Sequence, residues 1–348
     1  MRVGLIGSTK GLGSLEWYTR GLYEGLKERG IDVEIIWKEQ PKFPGAQTLH
    51  TFFLLPAHVL KRAAKFDIVH AIQPSFSVVF PLLRGVRKVV TIHDLIPLFH
   101  PQEFTSPAVS KLINFSAFSL WSLSSSLADL VIANSELTKS DVVRLGIPEN
   151  KVKVINLWVR PTIRRVEVHK SRKTVLGYVG AITYRKDVKY IVKAFNEFQK
   201  HERNSELWLC GSCSDRWYVE EVKQLISELG LEKKVKIVEA FPEEEISKIY
   251  SSLSVFISGT RFEGFGLPIL EAQKCGVPVI IREEAIISHE VRKYCFLASS
   301  PKDMAEKALE IIDGRFKEKI ELAMEHAASF TLERAVSQLI KLYEEILK

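Results

Sequence analysis

Cysteine is scarce in this chain of 348 residues, which has only four, too few for a disulfide framework. Cys210 and Cys213 form a C-x-x-C pair, but no second pair and no His cluster at ligand spacing accompanies it, so a zinc site is disfavoured. The pair follows Leu207-Trp208-Leu209, which is typical of a strand, whereas a redox-active pair would open a helix. We therefore interpret both residues as incidental buried thiols.

Long hydrophobic runs are also absent. The longest candidates, Phe52 to Leu60 and the stretch around Phe118 to Leu123, are too short or too rich in Ser to cross a bilayer, which needs about 20 apolar residues. The first residues, Met1 to Gly7, lack the organisation of a signal peptide. We expect a cytoplasmic protein that does not span a membrane.

Low-complexity segments and internal repeats are missing too. With 46% hydrophobic and 26% charged residues, the chain has the composition of a folded globular protein. At about 150 residues per domain, its length predicts two domains.

Charge is distributed unevenly along the chain. Residues 1–165 contain 21 Lys and Arg against 13 Asp and Glu, a net charge of +8, so the remainder carries −1 of the total of +7. A basic half favours an acidic partner, such as nucleic acid, an anionic membrane surface or a phosphate-bearing substrate, although a solvated basic surface would explain it equally well.

Apolar, strand-like runs alternate with helix-length segments, which predicts the α/β class with doubly wound parallel sheets. The first half has such runs at Arg2–Ile6, Val33–Trp37, Asp67–Ala71, Lys88–Ile92, Asp129–Ala133 and Val152–Ile155. The second half has them at Val175–Gly180, Glu206–Cys210, Val235–Val238, Val255–Ser258 and Pro278–Ile281.

A charged, Pro-containing stretch from Arg160 to Lys173 lacks apolar periodicity and is predicted to link two domains. We predict one Rossmann-like domain over residues 1–165 and a second over residues 166–330. Residues 331–348 contain an amphipathic segment that predicts a closing helix packed back toward the first domain. Because open α/β sheets bind ligands beyond the carboxyl ends of their strands, we expect the site in a cleft where the two domains face each other.

The most specific motif extends from Arg261 to Glu271, where a predicted strand is followed by a loop with two glycines and by a helix that starts near Pro268. Glycine lets the backbone approach a ligand closely, and amides at a helix N-terminus bind anions such as phosphate. The residues predicted to form this anion cradle are Gly264, Phe265, Gly266 and Leu267.

Glu263 and Glu271 flank the cradle and suit hydroxyl-rich groups on either side of a diphosphate, such as a sugar ring and a ribose. A Glu favoured by the helix dipole would explain Glu271 alone. The stretch Glu-Gly-Phe-Gly-Leu-Pro-Ile-Leu-Glu resembles the two-glutamate signature of the retaining nucleotide-sugar glycosyltransferases of family four, a group of glycogen synthase-like and mannosyltransferase-like group 1 enzymes. The resemblance continues, in order, over essentially the whole chain, and it implies the GT-B fold of two Rossmann-like domains.

A second stretch, Gly180 to Lys186, resembles that family's Gly-led turn, whose basic residue holds the donor diphosphate. Arg185 and Lys186 would neutralise two phosphates, Arg185 with a bidentate fork and Lys186 as a point charge. Such a pair in isolation would also fit a solvated surface. Many members have an Arg where Ala181 stands, so one phosphate contact is either missing or supplied by Arg185.

The segment Thr91 to Pro101 resembles the family's segment whose His lies near the transferred sugar, which implies a catalytic role for His93. Without the resemblance, a lone His at a strand end would be structural. Asp94 is predicted either to orient His93 or to contact the acceptor, and His70 is predicted to be structural.

Gly11-Leu12-Gly13 corresponds to the family's Gly loop before the first helix, which places Gly13 at the donor. The dinucleotide fingerprint would need a Gly or Ala where Glu16 stands, so hydride transfer with a nicotinamide is disfavoured.

The resemblance implies that a hexose is transferred from a nucleoside diphosphate sugar with retention of configuration. The cations and the cradle amides would stabilise the leaving diphosphate, Glu263 would hold the sugar as a catalytic residue, and Glu271 would hold the ribose. Same-face attack is preferred, although the sequence leaves double displacement open. No D-x-D occurs, so we predict that neither a metal nor another cofactor is required.

A likeness of His93 to Pro101 to mannosyl-transferring members favours GDP-mannose as donor, with UDP-glucose second. The acceptor is expected to be a glycan, phosphorylated or lipid-linked, and peripheral contact with the inner membrane face is expected through Phe52 to Lys65, where core burial is the alternative. Nucleic acid is not expected as a partner, because the basic residues are scattered. Two other functions stay open: a non-catalytic nucleotide-sugar binding subunit, and another GT-B enzyme such as a sugar phosphorylase.

Overall fold

The structure is a computed structural model that describes residues 1–8, 14–37, 39, 46–100, 119–120, 122–168, 173–239 and 241–348. These residues form two compact units. The first unit contains the described residues up to Leu157 together with Leu332–Lys348, and the second contains Trp158–Thr331. The division falls between Leu157 and Trp158, eight residues before the boundary predicted after residue 165.

Each unit is built around a six-stranded parallel sheet. The strands of the first unit are β1 Arg2–Ile6, β2 Asp32–Ile36, β3 Ile68–Ala71, β4 Arg87–Ile92, β5 Leu130–Ala133 and β6 Val152–Val154. Those of the second are β7 Thr174–Val179, β8 Ser205–Cys210, β9 Val235–Val238, β10 Val255–Ser258, β11 Val279–Arg282 and β12 Phe296–Ala298.

Helices connect the strands and cover the sheets. In the first unit they are α1 Ser14–Glu28, α2 Ala46–Leu49, a π-helical turn His50–Leu54, α3 Leu55–Ala63, α4 Ile96–Phe99, α5 Glu136–Arg144 and, at the C-terminus, α13 Leu332–Leu347. In the second they are α6 Val188–His201, α7 Arg216–Glu228, α8 Ile246–Ser252, α9 Leu267–Lys274, α10 His289–Arg292, α11 Pro301–Ile312 and α12 Lys317–Ala328. Short 3₁₀ segments include Pro74–Leu82 and Tyr184–Lys186.

The sequence pattern predicts the strands well, because strands of parallel sheets are covered on both faces and are therefore nearly continuous apolar runs. All eleven predicted strands are present, each displaced by at most one residue at an end. The prediction missed β12, a three-residue strand at the edge of the second sheet, where so short a run carries no distinctive pattern.

The order of strands in each sheet locates a switch point, the place where successive connections leave in opposite directions and where ligands of such sheets bind. The second sheet has the order β12-β11-β10-β7-β8-β9, so its switch point lies between β7 and β10. The first sheet has the order β2-β1-β3-β4-β5-β6, with its switch point between β1 and β3.

The segment predicted to be a link contains no regular element among its described residues, but it is partly buried. Trp158, Val159 and Ile163 have side chains that are almost completely buried, and the amide of Val159 donates to the carbonyl of Phe330 over 2.9 Å. Trp158 and Val159 precede the predicted link, Arg160–Lys173, and Ile163 lies within it, so these contacts join the beginning of the link to the core of the second unit.

The C-terminal helix α13 packs on α1 within the first unit. A Cβ atom added to Gly25 would lie 2.7 Å from a methyl group of Val336, so glycine permits the close approach of the two helices. Arg29 also donates to the carbonyl of Glu333 on α13. Within the described part of the chain, no helix combines the length and the apolar character needed to cross a bilayer.

Candidate active site

The loops that follow β7 and β10 meet at the switch point of the second sheet. Gly180 begins the loop after β7 with a positive φ of 152°, and Gly211 lies so close that a Cβ atom added to it would be 2.0 Å from the Gly180 carbonyl oxygen. A Cβ atom added to Gly259, in the loop after β10, would lie 2.4 Å from the carbonyl oxygen of Asp187. Glycine at these positions therefore permits the close passage of the loops.

Arg261 connects the loop after β10 to the loop after β7. Its guanidinium donates to the carbonyl of Tyr184 over 3.1 Å and lies over the Tyr184 ring, 4.5 Å from the centroid. Its own amide donates to the carbonyl of Arg185. This backbone contact brings the turn Gly180–Lys186 close to the loop between β10 and α9, which contains Glu263 and which we call the glutamate loop.

Glu263 forms an ion-pair cluster with both predicted diphosphate-binding residues. Lys186 donates to Oε1 of Glu263 in a short contact, and Arg185 Nη1 lies 3.5 Å from Oε2. Arg185 also donates to the carbonyl of Phe262 over 2.5 Å. The side chain of Glu263 is only 15% exposed. Burial alone would raise the pKa of Glu263, but Lys186 and Arg185 outweigh it and hold that pKa below its usual value.

A diphosphate would bind to this cluster by replacing Glu263 as the partner of Arg185 and Lys186. Two cations held by one carboxylate keep a net positive charge, and their donors are already oriented. An arriving diphosphate would compete with Glu263 for the cations and would release the carboxylate for hydroxyl groups.

Helix α9 begins directly after the glutamate loop, as the sequence predicted. Gly266 is its N-cap residue with a positive φ of 107°, a Pro stands in its first turn, and Gly276 follows its C-terminus in the left-handed region. The Phe265 side chain is buried and its ring packs on Phe330. Gly264 and Leu267 are both partly exposed, so the predicted cradle lies near the surface of this unit.

Glu271 has different partners from Glu263 and is more deeply buried. Its Oε1 accepts hydrogen bonds from Nε and Nη2 of Arg160, at 2.9 and 2.8 Å, and its Oε2 accepts one from the hydroxyl of Tyr250 at 2.7 Å. Arg160 and Tyr250 were not among the residues predicted from the sequence to form the site. Arg160 was assigned to a linker, and nothing in the pattern of α8 distinguishes Tyr250 from an ordinary core residue.

His93 directly follows β4 in the first unit, at the carboxyl end of the strand as predicted. Its Nε2 lies 3.0 Å from the carbonyl of Ile72, which follows β3, and its ring meets that of Tyr18 edge to face. Burial lowers the pKa of His93 to about 4, although the bond to Ile72 opposes the shift. The ring is therefore neutral at pH 7, with its proton on Nε2, and Nδ1 is an acceptor.

The main chain at His93 is held by polar side chains that follow the next strand, β5, with Asn134 directly after the strand and Thr138 on α5. The side-chain amide of Asn134 donates to the carbonyl of His93 over 2.7 Å, and Thr138 donates to Oδ1 of Asn134 over 2.9 Å. Oδ1 of Asp94 accepts a hydrogen bond from the amide of Ile96 at the start of α4. Asp94 thus contacts the first residue of a short helix in this structure, and its predicted role toward His93 or the acceptor stays a prediction.

Three remaining predictions concern Gly13, metals and thiols. Gly13 lies outside the described residues. Among the residues that are described, no group of three His, Cys, Asp or Glu side chains is arranged to hold a metal ion. Cys210 and Cys213 are both free thiols; Cys210 is buried as predicted, whereas Cys213 is only partly buried. Burial raises the pKa of Cys210 to about 11 and also raises that of Cys213.

Two protein-family models match the chain. The model described as Glycosyltransferase Family 4 matches residues 15–162, and the model described as Glycosyl transferases group 1 matches residues 159–329.

Individual proteins are similar over most of the chain. An uncharacterized glycosyltransferase of Methanocaldococcus jannaschii is 25% identical over 339 residues, which cover 84% of each chain. O-antigen chain mannosyltransferase B of Escherichia coli is 23% identical, over 74% of this chain and 70% of its own. Among solved structures, Anabaena HepE in complex with UDP and glucose is 20% identical over 99% of both chains, with a TM-score of 0.77. The last likeness shows the fold, which is of the predicted GT-B type.

Proposed function

Since this chain belongs to the group 1 glycosyltransferases, we propose that it transfers a hexose from a nucleoside diphosphate sugar to a glycan or lipid-linked acceptor, with retention of configuration and without a metal. The observation that carries this proposal is the cluster of Arg185, Lys186 and Glu263 at the switch point of the second sheet. It combines cations for a diphosphate with a carboxylate for sugar hydroxyls.

The proposed chemistry separates opposite charges. In the transition state, negative charge grows on the leaving diphosphate and positive charge grows on the sugar ring. Lys186 and Arg185 stabilise the former, together with the N-terminus of α9, and Glu263 stabilises the latter while it holds a ring hydroxyl. Preoriented groups of this kind lower the barrier because they need no reorganisation during the reaction.

His93 is proposed to contact the transferred sugar. Its neutral Nδ1 accepts a hydrogen bond from a sugar hydroxyl, while the bond from Nε2 to Ile72 fixes the ring. A diphosphate leaves readily as an anion, so no protein acid is needed to protonate it. We propose same-face attack, in which a donor phosphate oxygen accepts the acceptor's proton and the new glycosidic bond forms as the sugar–phosphate bond breaks.

Two donors are favoured by the proteins that resemble this chain. The similarity to O-antigen chain mannosyltransferase B favours GDP-mannose, and the likeness to HepE, which was solved with UDP and glucose, makes UDP-glucose the second candidate.

A binding panel followed by a turnover assay tests the donor proposal. The unfolding temperature is measured with UDP, GDP and ADP, since a ligand at a hundred times its dissociation constant adds about 2.7 kcal/mol to the stability. Hydrolysis of the matching GDP-mannose or UDP-glucose is then followed with EDTA present. Binding without turnover, even with an acceptor extract, would favour the non-catalytic binding subunit, and absence of binding to all three nucleotides would overturn the proposal.

We also propose that the protein contacts an anionic membrane surface and binds its acceptor there. In the segment Phe52 to Lys65, Leu55 is buried and Arg62 is paired with Glu34, so part of the segment does belong to the core. The opposite face is exposed: Phe53 is 65% exposed, and Leu60 is 38% exposed. Two lysines are also exposed here: Lys61 lies on α3, and Lys65 lies just after its C-terminus.

Flotation with liposomes tests this membrane contact. Apolar insertion and attraction of lysines to anionic lipid act together at such a surface. We expect binding to phosphatidylglycerol vesicles at low salt, little binding to phosphatidylcholine vesicles, and loss of binding in Phe53→Ser. Leu322→Ser, which changes an exposed leucine of the second unit, serves as the matched control. Failure of the wild-type protein to float at low salt would exclude the membrane contact.

A further inference from the structure

A connected set of buried side chains lies beneath His93. The hydroxyl of Tyr343 lies 2.6 Å from Nδ1 of His70, and Nε2 of His70 lies 2.8 Å from Oγ1 of Thr91. Oγ1 of Thr91 lies 3.2 Å from the hydroxyl of Tyr18. The Tyr18 ring then meets the ring of His93 at 89°, with 4.8 Å between centroids. We call Tyr343, His70, Thr91 and Tyr18 the relay.

The relay joins four different elements of the first unit. Its members are on α13, β3, β4 and α1, and all are at most 5% exposed. Buried hydroxyl and imidazole groups destabilise a fold unless each is hydrogen-bonded, whereas apolar side chains of similar size would carry no such requirement. Packing alone therefore does not account for a polar chain at this place.

The members of the relay stay uncharged near neutral pH. Burial raises the pKa of Tyr18 to about 12 and raises that of Tyr343 well above its ordinary value. Burial also lowers the pKa of His70 to about 3, and the neighbouring His93 lowers it further. The relay consequently orients groups and does not carry charge.

The hydrogen bonds of the relay run in one direction. Within the described residues, the Tyr343 hydroxyl has His70 as its hydrogen-bond partner, so this buried O–H donates to Nδ1. Neutral His70 then has its proton on Nε2 and donates to Thr91, which in turn donates to the oxygen of Tyr18. Each donor fixes the rotation of the next group.

We propose that Tyr343, His70 and Thr91 are positioning residues that hold the Tyr18 ring against His93 and so fix the orientation of His93 toward the sugar. The C-terminal helix thereby acts on a residue of the reaction, although Tyr343 is 273 positions from His70 in the sequence. This inference rests on the role proposed above for His93.

Two variants each remove one link of the relay while keeping the volume of the side chain. Tyr343→Phe deletes the first hydroxyl, and Thr91→Val deletes the middle one. Thr91→Ser keeps a hydroxyl at the same place, and Tyr23→Phe deletes a hydroxyl from α1 outside the relay. Because one hydrogen bond contributes about 1 kcal/mol, we expect kcat to fall about fivefold in Tyr343→Phe and Thr91→Val, with the donor KM unchanged. Because both variants break the same chain, the fall in the double variant should be smaller than the product of the two.

NMR of the His93 imidazole tests the relay independently of sugar transfer. The imidazole NMR resonances of His93 are recorded in each variant at a temperature where its circular dichroism equals that of the wild-type protein. We expect them to shift in Tyr343→Phe and Thr91→Val and to stay in place in Thr91→Ser and Tyr23→Phe. Unchanged His93 resonances in both link-breaking variants would overturn the relay. If the wild-type protein transfers no sugar, the proposed function fails, while the resonances still decide the relay.

Discussion

Arg160 holds Glu271 in a buried ion pair: Nη2 lies 2.8 Å from Oε1, and the glutamate side chain is only 4% exposed. With Nε of Arg160 also on Oε1 and Tyr250 on Oε2, three of the roughly four acceptor positions of the carboxylate are used. Among the described residues, no second donor occupies Oε2, which leaves one position there for an outside donor. A ribose hydroxyl at Glu271 would therefore make a single, well-directed hydrogen bond.

Removing Arg160 should be strongly destabilising. Arg160→Ala leaves a buried carboxylate without its cation, which costs about 3–5 kcal/mol in the free energy of unfolding. Urea denaturation measures this loss. The triple variant Arg160→Met, Tyr250→Phe and Glu271→Leu should regain most of the stability, because well-packed apolar residues replace a buried ion pair at little cost and no buried hydroxyl is left without its acceptor. It should nevertheless bind nucleoside diphosphate more weakly than the wild-type protein. A loss below about 1 kcal/mol in Arg160→Ala would contradict the assignment of a buried pair.

Lys186 and Glu263 should have opposite effects on nucleotide affinity. Lys186→Ala removes a charge-assisted bond of about 1.5–3 kcal/mol to the diphosphate, so the Kd of the nucleoside diphosphate should rise about 10- to 100-fold. Glu263→Gln removes the carboxylate that competes for the cations, so that Kd should fall or stay constant while kcat drops about 100-fold. Calorimetry and donor turnover measure the two effects.

Lys200→Ala is the matched control for the lysine variant, because Lys200 pairs with Glu197 on the exposed surface of α6 in the same unit. Full donor turnover in either Lys186→Ala or Glu263→Gln would refute the roles assigned to these residues.

His70 should make the folded state sensitive to acid. Its pKa is about 3 in the folded protein, whereas the ordinary value for an unperturbed histidine is 6.5, so the unfolded chain binds the extra proton between these values. Its contribution to stability is complete above about pH 6.5 and is lost progressively as the pH falls toward 3, reaching a loss of about 2 kcal/mol at pH 5. Urea unfolding at pH 7.5 and pH 5 measures the difference.

The variant His70→Asn should lose part of this pH dependence, since Asn does not titrate in this range. His201→Asn, at an exposed histidine, should retain it. An identical pH dependence in His70→Asn and the wild-type protein would show that other groups cause the acid sensitivity.

Gly211 should tolerate no side chain. A Cβ atom there meets the Gly180 carbonyl oxygen at 2.0 Å, and its φ of 149° is unfavourable for L-residues. Gly211→Ala should therefore reduce the free energy of unfolding by more than about 3 kcal/mol, since backbone and not a flexible side chain must move. Gly230 has a φ of 65° and open space around it, so Gly230→Ala should cost only about 1 kcal/mol. Equal losses in the two variants would show that the loops after β7 and β8 separate easily.

The thiols should be poor nucleophiles in the folded protein. Cys210, Cys275 and Cys295 are buried, and burial raises the pKa of each, to about 11, 12 and 12. We expect one slowly reacting thiol, Cys213, in a titration with a disulfide reagent at pH 7.5, and all four in denaturant. Cys213→Ser should leave donor turnover unchanged. Rapid reaction of two thiols, or disulfide formation between Cys210 and Cys213, would contradict the interpretation as incidental thiols.

Local patterns in the sequence are sufficient to predict the strands, the C-terminal helix and the loop that carries the glutamate motif. Apolar runs located eleven of the twelve strands among the described residues, and the amphipathic period located α13 within residues 331–348, because burial on both faces or on one face leaves a direct mark on residue order. The turn of Gly264 and Gly266 into α9 was also predictable, since proline is favoured in the first turn of a helix and glycine is favoured where the preceding turn needs a positive φ. Placing Arg185, Lys186 and Glu263 at one site depended on the resemblance as well as on the strand rhythm.

The tertiary structure decided which side chains meet. Strand order puts the switch point between β7 and β10, and no local pattern encodes the order of strands in a sheet. Arg160 was predicted to be part of a linker, and Tyr343 was one position on an amphipathic helix; their contacts with Glu271 and His70 span 111 and 273 residues. Hydrogen bonds and ion pairs act over a few ångströms, so partners that are distant in sequence become visible only once the chain has folded.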